Sequence, residues 1–273
     1  MKKRNSVLVI ALSVFVFGTG LPRIYAQGDS AEYTKKGVEL AKKKQYPEAA
    51  EQFGLAMKAD PQDSKHYLNR GNALKAAGKP DEAIKDFTKF AEMEPDRADG
   101  LSGRGKVKVS QKNYDGAIED LTKALEIDAD DIESYRFRGF AYVSKNDFEN
   151  AVEDYSKVLA SKSGDAQALE RRGFAYRSLK QYDKAIEDFT KLIKETPKDA
   201  EAYRRRGYAY SLSGENTKAL EDYRKVLELK PGDADASTRI KSVESRKPAA
   251  GGSPAAGGGS PATGSKAPGP SPW

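Results

Sequence analysis

Small and large apolar residues recur along the middle of the chain with a period of 34 residues. A glycine marks each unit, at Gly37, Gly71, Gly105, Gly139, Gly173 and Gly207. Twelve residues after each glycine stands an alanine, and four residues later a large apolar residue: Phe53, Phe87, Leu121, Tyr155, Phe189 and Tyr223. Six matches in register at several columns indicate an internal repeat.

The spacing inside one unit predicts two amphipathic helices joined by a turn. In the fifth unit, Leu169, Gly173 and Tyr176 recur at intervals of four and three, as on one face of a helix. Ala185 and Phe189 begin the same pattern on a second helix. Each pair keeps an apolar face that only the next pair can cover, so the units are expected to stack.

Aspartates indicate where the predicted helices begin, and glycines indicate how closely the two helices of a pair pack. Five aspartates precede first helices and are expected to cap them: Asp63, Asp131, Asp165, Asp199 and Asp233. Asp183 is a candidate cap for a second helix. Glycine inside a helix costs about 1 kcal/mol relative to alanine, so a repeated glycine implies close approach of two backbones. We expect each glycine to face the alanine of its second helix.

Two charged columns accompany the apolar ones. Directly before the glycines stand Lys36, Arg70, Arg104, Arg138, Arg172 and Arg206. Directly before the large apolar residues stand Gln52, Asp86, Asp120, Asp154, Asp188 and Asp222. Arginine and aspartate occur together in the same five units, which predicts an Arg–Asp ladder between first and second helices, within or between units. Structural bracing is the favoured role, and an anion-binding row is the alternative.

The repeat resembles the tetratricopeptide repeat family. The unit of that family has 34 residues, with Gly and Tyr in its first helix, Ala and Phe in its second, and Pro near its end. Gly173, Tyr176, Ala185, Phe189 and Pro197 fit this pattern in the fifth unit. The resemblance implies an all-α solenoid that winds as a right-handed superhelix with a concave inner face.

The resemblance covers six repeats and a capping helix. The repeats are placed at 30–63, 64–97, 98–131, 132–165, 166–199 and 200–233, and the capping helix at 235–247. The third repeat departs most from the family pattern, because Lys108 replaces the tyrosine and Ala129 the proline. We expect that repeat to be looser than the others.

Residues 1–26 have the pattern of a secretory signal peptide. Lys2, Lys3 and Arg4 precede an apolar stretch over 7–17, and Ala26 suits the position before a cleavage site. The stretch is shorter than the roughly 20 residues that span a bilayer. We therefore expect cleavage and export to the periplasm or the medium, without stable membrane insertion. Anchoring in the inner membrane through an uncleaved segment is the alternative.

The C-terminal residues and the distribution of charge along the chain limit the possible functions further. Residues 248–273 are almost wholly Pro, Gly, Ala and Ser, a composition that predicts a disordered tail. The formal net charge is +6, and it resides in residues 1–26 and in the tail from Lys247 onward. Residues 27–246 carry no net charge, so we expect no nucleic-acid binding.

The residue inventory gives little support for catalysis or for a cofactor. The chain has no Cys and a single histidine, His66, so thiolate chemistry and histidine-clustered metal sites are excluded. The glycines are isolated on helices rather than grouped in a phosphate-binding loop. We expect a protein that is not an enzyme and holds no cofactor or metal. His66 is expected to be exposed and without a partner.

The resemblance also predicts where a partner would bind. In this family the concave face is formed by first-helix side chains three before, one after and four after the glycine. Those positions give Asn72, Lys106, Arg136, Phe140, Val143, Glu170, Phe174, Arg177, Arg204, Tyr208 and Ser211. Phe140, Phe174 and Tyr208 form an aromatic stripe that either contacts a partner or fills gaps between first helices.

These observations predict a protein–protein interaction scaffold of the bacterial cell envelope. Its partner would be a peptide or a helix of another protein held in the concave groove. The alternative is a module that binds carbohydrate or an envelope polymer, with the aromatic stripe as a stacking platform. The sequence leaves the partner's identity and the oligomeric state open.

Overall fold

The computed structural model describes residues 27–245, in which all thirteen regular elements are α-helices. Twelve of them form six consecutive pairs: α1 (Gln27–Lys42) and α2 (Tyr46–Ala59), α3 (Ser64–Ala76) and α4 (Pro80–Met93), α5 (Asp99–Ser110) and α6 (Tyr114–Ile127), α7 (Ile132–Ser144) and α8 (Phe148–Ser161), α9 (Ala166–Ser178) and α10 (Tyr182–Glu195), α11 (Ala200–Ser213) and α12 (Asn216–Leu229). A last helix, α13 (Ala234–Glu244), packs on α12. The predicted solenoid of six repeats with a capping helix is confirmed. The predicted signal peptide, the predicted tail and the last two residues of the predicted capping segment lie outside the described residues.

The stack curves with the first helix of each pair on the inside. Every helix contacts the next one along the chain. In addition, first helices of adjacent pairs contact one another, α3 with α5, α5 with α7 and α7 with α9. Second helices of adjacent pairs make no comparable contact within the described residues. The first helices therefore lie closer together and line the concave face.

Each turn inside a pair contains one residue in the left-handed backbone conformation. These residues repeat every 34 positions and have φ angles between 59° and 87°: Lys44, Gly78, Lys112, Asn146, Lys180 and Gly214. The left-handed residue ends the first helix and turns the chain back, and glycine adopts this conformation without strain. The left-handed conformation therefore recurs in every repeat, although the amino acid at that position varies between Lys, Gly and Asn.

The aspartate caps of the first helices are confirmed. Each of the five predicted aspartates accepts a hydrogen bond from a backbone N–H in the first turn of the helix that follows. The prediction for Asp183 is wrong, because α10 begins at Tyr182 and places Asp183 inside its first turn. The residue before α10 is Gln181, which makes no side-chain cap, whereas Asn113 and Asp147 cap other second helices from that position.

The glycines allow close packing, but against a different partner from the one expected. A β-carbon on Gly173 would lie 2.7 Å from ring atom Cε1 of Phe189, and one on Gly37 would lie 2.7 Å from Cε1 of Phe53. The glycines therefore face the large apolar residue of the second helix rather than its alanine. The alanine lies one helical turn earlier, and the longer side chain reaches across to the first helix.

The Arg–Asp ladder is present within each of the last five pairs. The five pairs are Arg70–Asp86, Arg104–Asp120, Arg138–Asp154, Arg172–Asp188 and Arg206–Asp222. In each, Nε and Nη2 donate to the two carboxylate oxygens over 2.6–3.0 Å. Every aspartate of the ladder is buried. Two parallel bonds of this kind fix the relative orientation of both helices.

The ladder also connects neighbouring repeats. The remaining guanidinium nitrogen, Nη1, donates to a hydroxyl on the second helix of the preceding repeat, in the pairs Arg104–Thr88, Arg138–Thr122, Arg172–Ser156 and Arg206–Thr190. In the first repeat this hydroxyl position is occupied by Gly54. Four of the five arginines therefore bind two second helices at once, which braces the stack along its length.

The third repeat has regular helices, and Lys108 replaces the family tyrosine with a polar contact. Its ammonium lies 2.7 Å from the Asp120 carboxylate and donates to the carbonyl of Gly116. Burial raises the pKa of the Asp120 carboxyl, but hydrogen bonds and charge from Arg104 and Lys108 outweigh it and hold the pKa below its ordinary value. That this repeat is looser than the others stays a prediction.

His66 is buried, contrary to expectation. Its side chain lies between α1 and α3, where Nε2 is 2.8 Å from the Ser30 hydroxyl and Nδ1 is 3.3 Å from the Thr34 hydroxyl. The position near the start of a first helix suggested exposure, but the preceding first helix covers it. The single histidine thus joins the first two repeats.

Candidate partner groove

The concave face carries three depressions. The arginine pocket, of about 130 Å³, is lined by Val143, Glu170, Arg171, Phe174, Arg177, Glu201, Arg204, Arg205, Tyr208 and Arg239. The tyrosine pocket, of about 210 Å³, is lined by Glu133, Arg136, Phe137, Phe140, Tyr155, Gln167 and Arg171. The two share Arg171. An open depression of about 530 Å³ lies nearer the N-terminus, between α3, α5 and the start of α7.

The structure places ten of the eleven predicted groove residues in the three depressions. The arginine pocket contains six of them: Val143, Glu170, Phe174, Arg177, Arg204 and Tyr208. Arg136 and Phe140 line the tyrosine pocket, and Asn72 and Lys106 line the open depression. Ser211 is buried and lies outside all three depressions. The predicted set is therefore divided among separate places along one face.

Arginines and aromatic rings alternate through the arginine pocket. The Arg177 guanidinium lies 5.0 Å from the ring centre of Phe174 and 4.9 Å from that of Tyr208. Arg239, on α13, lies 4.6 Å from the same Tyr208 ring. Contacts of this type are worth about 0.5–2 kcal/mol each and hold the guanidinium planes in place. The row is therefore held together by direct contacts between guanidinium groups and rings.

Carboxylates compensate several of these arginines but not Arg177. Arg205 lies 2.9 Å from Glu170, Arg204 lies 2.5 Å from Asp233, and Arg239 has an ion pair of its own with a carboxylate on α13. Within residues 27–245, Arg177 makes no hydrogen bond or ion pair, and its contacts are the two rings. The pocket therefore presents an excess of positive charge centred on Arg177.

The aromatic stripe divides between packing and exposure. Phe140 is only 8% exposed, packs edge-on against Tyr114 and lies under the guanidinium of Arg171. It fills the space between first helices, as one of the two interpretations expects. Phe174 and Tyr208 are only partly buried and line the arginine pocket. The stripe is thus available to a partner at two of its three positions.

Reasoning from the sequence missed several residues that shape the pockets. Arg171 and Arg205 stand two residues before their glycines, a column that the family pattern does not assign to the concave face. Arg239 lies on α13, outside the register of the repeats. The one sequence signal that could have indicated Arg171 and Arg205 is that arginine occupies the same column in two successive repeats. The contribution of α13 required the folded structure.

Tyr155 has a buried hydroxyl that makes no hydrogen bond within the described part of the chain. Because burying an unbonded hydroxyl costs about 1–3 kcal/mol, Tyr155→Phe should raise the free energy of unfolding by about 1 kcal/mol. Urea denaturation followed by circular dichroism measures the change. A lower stability of the variant would show that the hydroxyl has a partner, such as an ordered water.

Tyr223 provides the matched control at the same column of the last repeat. Burial raises the pKa of Tyr223 to about 12, and Arg239 opposes the rise through its charge and a hydrogen bond. Tyr223→Phe removes that bond, so it should not stabilise the protein.

Among the helices between residues 27 and 245, none combines the length and apolar character needed to cross a membrane. In the same residues, no group of three or more His, Cys, Asp or Glu side chains is placed to hold a metal ion.

Comparison of the sequence with family models gives four matches, all to the same repeat. Models described as tetratricopeptide repeat match residues 68–132, 132–165 and 200–233, and one described as TPR repeat matches 173–214. Together they cover more than half of the chain. A search of curated protein sequences gives no match.

Solved structures with the same fold come from several proteins. The chain is similar to YrrB, "a TPR protein with an unusual peptide-binding site", with a TM-score of 0.66 and 23% identity over 71% of this chain and 99% of that one. It is similar to MamA from Desulfovibrio magneticus, with a TM-score of 0.58 and 22% identity over 63% and 97%. A tetratricopeptide repeat protein from Parabacteroides merdae gives a TM-score of 0.58 and 18% identity over 80% and 99%.

Proposed function

Because the chain belongs to the tetratricopeptide repeat family, we propose that it is a non-enzymatic scaffold that binds a segment of another protein in its concave groove. The observation that carries the proposal is the arginine pocket, a concave site in which partly buried aromatic rings and arginines alternate. Aromatic and arginine side chains are the residues most enriched among binding hot spots. The similar structure of YrrB, described as peptide-binding, supports the proposal.

The same geometry favours a protein segment over a carbohydrate. A sugar ring stacks on an open aromatic face, but Arg177 lies against the Phe174 ring, and both Arg177 and Arg239 lie against the Tyr208 ring. A sugar would have to displace these guanidinium groups. A peptide can instead use them, because arginine offers several N–H donors to carboxylates and carbonyls.

We place the scaffold in the cell envelope. The support for this location is the charged, apolar and small-residue pattern of residues 1–26, which is typical of a secretory signal. A partner in the envelope would then meet the groove outside the cytoplasm.

Photo-crosslinking in intact cells tests the proposal. Replacing Tyr208 with p-benzoylphenylalanine places the crosslinker inside the groove, and replacing Lys191 places it on α10, where the side chain is half exposed. We expect a protease-sensitive adduct of defined mass from Tyr208 and none of that mass from Lys191. Fractionation of the same cells should recover the adduct with the envelope.

Three results would contradict the proposal. Equal adducts from both positions would show that the groove is not the binding surface. An adduct that resists protease but is removed by glycan-degrading enzymes would favour the carbohydrate alternative. An adduct confined to the cytosolic fraction would contradict the envelope location while leaving the scaffold intact.

A further inference from the structure

Arg177 occupies an unusual electrostatic position in the groove. Its side chain is partly buried between two aromatic rings, and no carboxylate within residues 27–245 pairs with it. Burial lowers the pKa of its guanidinium, and the like charges of Arg205 and Arg239 lower it further, opposed by Tyr208 and Glu201. An arginine held this way carries a charge that the described part of the chain leaves without a paired carboxylate.

The neighbouring charges show that the excess is local. Of the five arginines that line the arginine pocket, three have a carboxylate partner: Arg204, Arg205 and Arg239. Arg177 has none within residues 27–245. Each arginine of the Arg–Asp ladder likewise has its own aspartate. Since residues 27–246 have no net charge, Arg177 stands out as a positive charge without a carboxylate partner in the described part of the chain.

From this charge distribution we infer that the segment bound in the groove is acidic, and that one of its side-chain carboxylates binds Arg177 between the Phe174 and Tyr208 rings. The inference rests on the proposed function and names the chemistry of the partner. The planar guanidinium can donate N–H hydrogen bonds along its edge to a carboxylate while its faces stay against the rings. The rings also exclude water from the ion pair, which strengthens it.

The charge argues against the tail of this chain as the occupant. The ionisable side chains from Lys247 to the end of the sequence are Lys247 and Lys266, both cationic. They would be repelled by the arginine pocket. A carboxylate-bearing segment of another protein has the complementary charge.

Isothermal titration calorimetry with the full chain tests the inference. The probe is a ten-residue peptide of Glu, Ser and Phe, acetylated and amidated so that only side chains carry charge. A matched peptide replaces every Glu with Gln. We expect the Glu peptide to bind about tenfold more tightly, as one charge-assisted hydrogen-bonded pair provides. Arg177→Gln should abolish that difference, because the two peptides then differ in no group that the variant can pair with a positive charge.

Arg224→Gln is the matched control, because it removes the same charge from an exposed site on α12. It should change the affinity for the Glu peptide by less than about twofold, as expected for a screened distant charge. An equal loss in both variants would overturn the inference in favour of general charge attraction. Equal affinity of wild type for the two peptides would overturn it as well.

Two further measurements distinguish a terminal from a side-chain carboxylate, and a failure of this inference from a failure of the proposed function. A Gln peptide with a free carboxyl terminus tests whether a terminal carboxylate is the group recognised, and binding of this peptide as tight as that of the Glu peptide would overturn the side-chain assignment. Failure of all peptides together with a groove adduct from Tyr208 would contradict an acidic partner and leave the scaffold standing. Absence of that adduct would contradict the scaffold itself.

Discussion

Replacing Phe87 with alanine should lower the free energy of unfolding by about 3–5 kcal/mol, the usual cost of removing a buried phenylalanine. Its ring is fully buried and lies against two first helices at once. A β-carbon on Gly71 would lie 3.0 Å from ring atom Cε1, and one on Gly103 would lie 2.6 Å from it. The cavity would therefore open between two repeats.

Native-state hydrogen exchange read by mass spectrometry shows where this energy is lost. Because repeats contact only their neighbours, the loss of protection should begin in α3, α4 and α5 and weaken towards α11. Ile127→Ala is the control, since Ile127 is 40% exposed and should cost less than about 0.5 kcal/mol. A loss spread evenly over all helices would contradict the account of a nearest-neighbour stack.

Breaking one rung of the Arg–Asp ladder should have an effect of similar size. Asp154→Asn leaves Arg138 without its carboxylate in a largely buried site and should cost about 3–5 kcal/mol, as for other buried pairs that lose one partner. The double variant Arg138→Met, Asp154→Asn should be less destabilised than the sum of the single variants, with a coupling of about 1–3 kcal/mol. Urea denaturation of the four proteins measures this cycle.

The exposed pair Glu119–Lys123 is the control for the cycle. Its two side chains are more than half exposed, so its coupling should be too small to detect. If the Arg138–Asp154 pair were equally uncoupled, the ladder would not brace the stack.

The pH dependence of Arg138→Met gives an independent check. Burial raises the pKa of the Asp154 carboxyl, and the hydrogen bonds and charge of Arg138 oppose this rise. Without Arg138 the folded-state pKa moves higher above the unfolded value. The variant should therefore be closest to wild type below about pH 4, the ordinary aspartate range, and lose stability as the pH rises through the raised pKa.

The solenoid itself was predictable because each repeat is local. Columns of Gly37, Ala49 and Phe53, repeated every 34 residues, specify two helices and the face that joins them. Because each helix pair is specified by residues within one 34-residue unit, no contact between distant parts of the chain is needed to predict it. The Arg–Asp ladder was predictable for the same reason, since its partners lie 16 residues apart within a single pair.

Other features depended on which side chain reaches which helix. The ring of Phe189, rather than Ala185, meets Gly173, because side-chain length and the crossing of the helices decide that contact. His66 is buried because α1 packs over it. Asp183 fails as a cap because α10 begins at Tyr182, two residues before the start that a cap at Asp183 requires.

The sequence by itself determined the repeat and its helices, and the family resemblance predicted the face on which we propose that a partner binds. The tertiary structure alone decided that Arg239 of α13 joins Tyr208 and Arg177, and that no carboxylate within residues 27–245 pairs with Arg177. The 34-residue period predicts the positions that are alike in every repeat, whereas the residues of the arginine pocket are ones that differ between repeats. These residues form one pocket only because the curved stack brings α9, α11 and α13 within contact distance of one another.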